Sequence, residues 1–216
     1  MLDSVNLIGT EDYNMKNFII KYYLETLTLI MFAMVTACAV FATDLSIPQT
    51  AILSYMFLYT IHEWEEIRLP GGFSDLMLKF TGINCDKNRE ALSHVPVIIL
   101  LLLITFVPFI FDSLIILTLI PLCLALFEGF VHIMGIFVHK TGKPYTPGMI
   151  SALCMAAVSV YWITIFNSNG LTVGRNYLIG AICTFVCFAI MQRSVITIMG
   201  MTYKDMIGNV KKKFHR

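Results

Sequence analysis

Six stretches of this chain are apolar for about twenty residues each, the length a helix rising about 1.5 Å per residue needs to cross a hydrocarbon core about 30 Å thick. They run Phe18–Ala42, Ile47–Glu66, Val95–Phe111, Leu114–Val138, Pro147–Phe166 and Tyr177–Ile198. The run from Val95 to Val138 is too long for one helix in one bilayer, and Asp112, flanked by Pro108 and Pro121, is where it turns back. The expected fold is all-α, a polytopic bundle of six transmembrane helices. It forms a single membrane-embedded domain over residues 1–216, with an N-terminal tail over 1–17, an amphipathic connection over 71–93 and a basic C-terminal tail over 199–216.

Charge supports the same arrangement. Only 13% of the residues are charged, against about 25% in a soluble domain. Placed on alternate sides of six spans, fourteen of the fifteen Lys and Arg fall on one side and Arg175 alone on the other. The positive-inside rule then puts both termini in the cytoplasm, as a multi-pass protein of the cell membrane. A net charge of +1 offers no basic field for nucleic acid. Lys211, Lys212 and Lys213 follow an amphipathic stretch over Tyr203–Val210, a pattern suited to resting on anionic lipid. The first seventeen residues hold Asp3, Glu11 and Asp12 and no basic leader, so no cleavable signal peptide is expected there. Five of the six cysteines fall inside spans, where thiols pack as small apolar residues, and none forms a C-x-x-C pair.

Ionisable groups inside a bilayer are costly, so each needs a reason. The second span ends His62-Glu63-Trp64-Glu65-Glu66. On a helix advancing about 100° per residue, Glu65 lies about 60° to one side of His62 and Glu66 about 40° to the other. Tyr59 and Tyr55 continue that face, and Glu63 is expected to point elsewhere. The fourth span carries Glu128 and His132 at i, i+4, with Gly135 and His139 beyond. Glu128 lies about 15 Å from the cytoplasmic end, too deep to reach water easily. His62, His94, His132 and His139 all cluster toward the cytoplasmic side. Three polar residues have plainer readings: Ser93 as N-cap ahead of His94 and Pro96, His139 as interfacial, and Glu25 as the ion-pair partner of Lys21.

The set His62, Glu65, Glu66, Glu128 and His132 is a mixed nitrogen and oxygen donor set suited to a divalent Zn, Fe or Mn ion. Both spans run inward, so their polar faces should meet, and these side chains should crowd within about 4–6 Å, where charges perturb one another. Glu-x-x-His spacing builds di-metal sites in helical bundles, and His62-x-x-Glu65 has it in reverse. The leading reading is a metal-dependent membrane enzyme acting on a lipid-like substrate, with Glu65 or Glu66 as catalytic base toward a water acidified by the cation. A proton- or ion-coupled carrier and a non-catalytic subunit of a membrane complex use the same groups differently. Between the two sites, Phe73, Leu76, Met77 and Phe80 recur at helical spacing, which predicts a short amphipathic helix roofing the site's mouth.

At His62-Glu63-Trp64-Glu65-Glu66 the chain resembles the HXXEE family of small bacterial integral membrane proteins. The order of motifs agrees: His62, Glu65 and Glu66, then the His132 span, then Tyr145-Thr146-Pro147-Gly148 opening the next helix, with Thr146 read as its N-cap and Pro147 in its first turn. The resemblance covers about Ile47 to Phe166 and implies membrane location and a candidate site, not an activity. Two better-understood patterns are incomplete. The zincin motif H-E-x-x-H meets Glu66 where its second His belongs. The intramembrane prenyl-protein proteases resemble E-E-x-x-x-R with F-x-x-x-H, but Pro70 occupies the Arg position and Phe127 is out of phase with His132. The topology has a direct check: on a background free of native thiols, Lys143→Cys and Arg175→Cys should label from opposite faces of the membrane.

Overall fold

The structure, a computed structural model, describes residues 3–42, 44–139 and 144–214, with side chains from residue 21 to 212 within those ranges. Lys16, Lys140, Lys143, Lys213 and Arg216 of the charge argument lie outside the described side chains. Among the described residues there are eight helices and no strand: α1 (Asp3–Phe41), α2 (Ile47–Ile67), α3 (Phe73–Thr81), α4 (Lys87–Ile110), α5 (Ile115–His139), α6 (Met149–Ser168), α7 (Gly174–Ile198) and α8 (Tyr203–Phe214). Five are long and apolar enough to cross a membrane: α4, α5, α6, α7 and the Lys21–Phe41 part of α1, which is kinked at Tyr22. The sixth expected span, α2, is not among the five, because it carries the polar groups of the site.

Local sequence explains most of the boundaries. Ser46 and Gln49 close a reciprocal capping box on α2, with Pro48 in the first turn, where a missing N–H costs nothing. Asp86 caps α4 by accepting from the amides of Asn88 and Arg89. The expected start of this helix at Val95, with Ser93 as cap, is therefore corrected: α4 begins eight residues earlier, Ser93 donates to the Glu90 carbonyl, and Pro96 lies within the helix. Phe111 to Ser113 make the turn between α4 and α5, at the expected Asp112.

Helix α2 packs against α1, α4, α5 and α6, and α5 in turn packs against α6 and α7. The core between them is built on Tyr55, Met56, Tyr59, Leu119, Leu122, Met155 and Phe166, all fully buried. Polar groups of α2 are met by neighbouring helices. The Tyr59 hydroxyl donates to the Pro121 carbonyl at 2.7 Å, Tyr55 and Ser159 share a hydrogen bond of 2.8 Å, and the Trp64 indole donates to Thr28 Oγ1 at 2.8 Å. Arg68 forms a two-toothed ion pair with Glu25, its Nη2 lying 3.3 Å from Oε2. Glu25 thus turns to α2, and the expected pairing with Lys21 is replaced by a partner brought in from another helix. Large apolar side chains such as Phe41, Ile110, Phe137 and Ile190 are exposed on the outer surface, as a lipid-facing rim requires.

Close helix approach depends on small residues. A Cβ on Gly129 would fall 2.9 Å from Ala156 Cβ, and one on Gly180 would fall 2.7 Å from Leu119 Cβ. Gly180→Ala should therefore cost about 1–3 kcal/mol by overpacking. Thermal unfolding in mild detergent checks this, with the outward-facing Ile190→Ala expected to change little.

Candidate functional site

The last two turns of α2 send their charged side chains three ways. His62 and Glu66 face α5, Glu65 turns to the start of α6, and Glu63 lines the same internal cavity as His62 and Glu66. This follows from helix geometry, since Glu65 and Glu66 stand about 100° apart and Glu63 follows Tyr59 by one turn. Glu63, expected to point elsewhere, is 5% exposed and belongs to the cavity wall.

Glu65 is held by the N-terminus of α6. Its Oε1 accepts from the Ile150 amide at 3.0 Å and the Tyr145 hydroxyl at 2.8 Å, and its Oε2 accepts from the Ser151 amide at 2.7 Å and from the Ser151 hydroxyl. The first amides of a helix have no partner within it, and a carboxylate there is favoured by the helix dipole. Thr146 is therefore not the cap, nor does Pro147 open the helix. Gly148 holds the N-cap position without a side-chain bond, and the acceptor comes across from α2. Burial and the bond to Glu65 push the Tyr145 hydroxyl up to about 12.

The same turn orients both imidazoles. The Nδ1 of His62 lies 3.1 Å from the Gly148 carbonyl, which can only accept, so Nδ1 carries the proton. The Thr146 hydroxyl donates to the His132 carbonyl at 3.2 Å, so its oxygen accepts from His132 Nδ1 at 3.1 Å. Each ring is left with an unprotonated Nε2, the ligating form of histidine. His132 Nε2 is buried and has no hydrogen-bond partner among the described residues. It lies 3.2 Å from Glu66 Oε1 and 3.9 Å from Glu128 Oε2, and His62 Nε2 lies 3.6 Å from Glu66 Oε1. One ligand atom from each of His62, Glu128 and His132 falls within 4.8 Å of the others. The polar faces of α2 and α5 meet as expected. Gly148 must lack a side chain: its φ is +89°, and a Cβ would fall 2.6 Å from Glu66 Cγ and 2.8 Å from His132 Cε1.

The cluster forms one wall of a cavity of about 340 Å³. The remaining walls are mainly apolar, from α4, α5 and α7. The expected amphipathic helix is α3, whose Phe73, Leu76 and Met77 border the cavity, with the Phe73 ring 5.7 Å from that of His132. His94 and His139 also border it. His94 stacks on Tyr23 at 4.9 Å, and His139 stands edge-on to Phe80 at 4.8 Å. Of the expected site residues, His62, Glu66, Glu128 and His132 converge, whereas Glu65 is engaged by α6. The hydroxyl of Ser151 and the carbonyl of Gly148 were not legible as parts of the site, because their roles depend on how α6 approaches α2.

Removing the Glu65 carboxylate leaves buried donors unpaired, so Glu65→Ala should lower stability by about 1–3 kcal/mol. Gly148→Ala should be worse, adding a clash to an unfavourable φ. Thermal unfolding of both variants in detergent measures the order.

A family model described as a protein of unknown function with HXXEE motif matches residues 53–163. No curated protein and no solved structure matches the chain. The matched segment takes in most of α2, all of α3, α4 and α5, most of α6, and every residue of the His/Glu cluster. With more than half its length inside that match, the chain belongs to the HXXEE family, whose motif stands here as His62-Glu63-Trp64-Glu65-Glu66.

Proposed function

We propose that this protein is a metal-dependent enzyme of the cell membrane, holding a divalent ion at His62, Glu128 and His132 and acting on a lipid-like substrate in the adjoining cavity. One observation carries the reading. The Nε2 atoms of both imidazoles and the carboxylates of Glu66 and Glu128 converge, and among the described residues His132 Nε2 has no hydrogen-bond partner. Acceptors crowded in a buried site repel one another unless a cation or proton lies between them. The orphaned Nε2 of His132 fits that need, and the donor set of two nitrogens and carboxylate oxygen suits Zn, Fe or Mn. The outer hydrogen bonds from Gly148 and Thr146 fix both ring tautomers, as supporting groups do for ligating histidines.

When bound, such an ion would supply Lewis acidity at the cavity wall. The chain's own residues do the rest. Glu66, within 3.6 Å of both imidazoles, is placed to accept a proton, and α3 borders the site and would shield it. Glu65 acts as a positioning residue, since its oxygens are already occupied by α6. The membrane setting is supported by the five apolar helices, with α2 as a sixth span shielded by its neighbours. The lopsided distribution of Lys and Arg supports cytoplasmic termini and a site on the cytoplasmic half.

Elemental analysis of the full chain purified in mild detergent tests the metal. Wild type should hold about one divalent ion per chain, and Glu128→Gln and His132→Ala should each lose most of it. Leu178→Ala, on the outer surface, should keep it. Wild type without metal after exposure to Zn, Fe and Mn, or equal loss in all three variants, would overturn the assignment.

A further inference from the structure

The cavity's described lining includes Glu63, Glu66 and Glu128 but no Lys or Arg. Three carboxyl groups in a largely apolar cavity repel one another unless protons or cations lie among them. A divalent ion at the proposed site offsets two of them, Glu66 and Glu128. Glu63 is left. It is 5% exposed, lies outside the group that could hold a metal, and makes no hydrogen bond or ion pair with another described residue. A carboxyl group buried in the cavity wall offers an acceptor to whatever occupies the cavity, and a cationic head beside it adds a charge-assisted hydrogen bond. The position beside it is the cavity interior.

We propose that the substrate is a single-chain amphiphile with a protonated amine head, and that Glu63 is the counter-ion that selects it. The proposal rests on reading this cavity as a substrate site. An anionic head, whether carboxylate or phosphate, would meet three carboxylates and no cationic side chain among the described residues. An uncharged head could hydrogen-bond Glu63 but would lack the attraction of an opposite charge. An ammonium head completes the charge balance beside the metal, and its tail runs along Leu100, Leu124, Phe127 and Phe188. The volume, about 340 Å³, lies at the small end of ligand sites of about 300–1,000 Å³, which favours one chain over two.

The test uses the full-length protein in nanodiscs at neutral pH, metal-loaded and metal-stripped, with radiolabelled dodecylamine, dodecanol, dodecanoate and N-acetyldodecylamine. Retention over empty nanodiscs removes the contribution of lipid partitioning. Dodecylamine should bind at least about tenfold more tightly than dodecanol, with dodecanoate weakest. Glu63→Gln should erase the preference for the amine while leaving metal content unchanged. The N-acetyl probe keeps the nitrogen but not its charge, so it should behave like dodecanol on wild type, which keeps the test decisive should Glu63→Gln fail to fold. Equal binding of amine and alcohol, tightest binding of dodecanoate, an amine preference that survives Glu63→Gln, or a second metal ion lost with Glu63→Gln would each overturn the proposal. Amine selectivity in metal-stripped protein separates its fate from that of the metal site, since a chain that holds no metal still shows the preference if Glu63 sets it.

Discussion

The clasp between the Glu65 carboxylate and the first turn of α6 is the interaction on which the site depends. A carboxylate removed from water needs donors, and the opening amides of a helix need an acceptor. Here each supplies the other's need, with Ser151 and Tyr145 adding two hydroxyls. The bond fixes the height and rotation of α2 against α6. That alignment sets the Gly148 carbonyl on His62 Nδ1. The Thr146 hydroxyl, two residues earlier in the chain, takes the same position against His132. Both rings then carry their protons away from the cavity, and their bare nitrogens meet the carboxylates of Glu66 and Glu128. The convergence that resembles a metal site is thus set up by groups that touch no metal position themselves.

The same economy of partners explains the placement of α2. A helix ending in four ionisable side chains within five residues is costly against lipid, so its neighbours must surround it. Apolar helices enclose it, and its tyrosines and tryptophan reach across to Ser159, Pro121 and Thr28 instead of to water. Arg68 and Glu25 close the end of the α1–α2 pair. The outer surfaces of the enclosing helices carry the exposed Phe, Leu and Ile side chains. Polarity inside and apolarity outside reverse the pattern of a soluble bundle, as a hydrocarbon surrounding requires.

The His-x-x-Glu-Glu motif divides its labour because successive residues on a helix diverge. His62 and Glu66, one turn apart, share the cavity with Glu63, while Glu65 serves the scaffold. The structure turns the second glutamate to the cavity and the first to the open end of α6. The Tyr-x-Pro-Gly turn has a matching double role. Its glycine admits both the positive φ and the close packing of Glu66 and His132, and its tyrosine and threonine reach the two helices on either side.

Much of this was written in the sequence, because hydrophobic length, helical spacing and charge placement are local properties. The apolar runs give the helical class, the Asp112 turn falls where the prolines bracket a polar residue, and the pairs His62/Glu66 and Glu128/His132 follow from one-turn spacing. The short amphipathic roof over the site follows from Phe73, Leu76 and Met77 in the same way. Tertiary structure alone decided what depends on how helices approach. It gave Glu25 to Arg68 instead of Lys21, turned Glu65 to the open end of α6, and extended α4 back to Lys87. It also brought Glu63 into the cavity wall, because which part of a helix is buried depends on the neighbours around it. A periodicity says which residues share a face of a helix; only the packed neighbours say what that face meets.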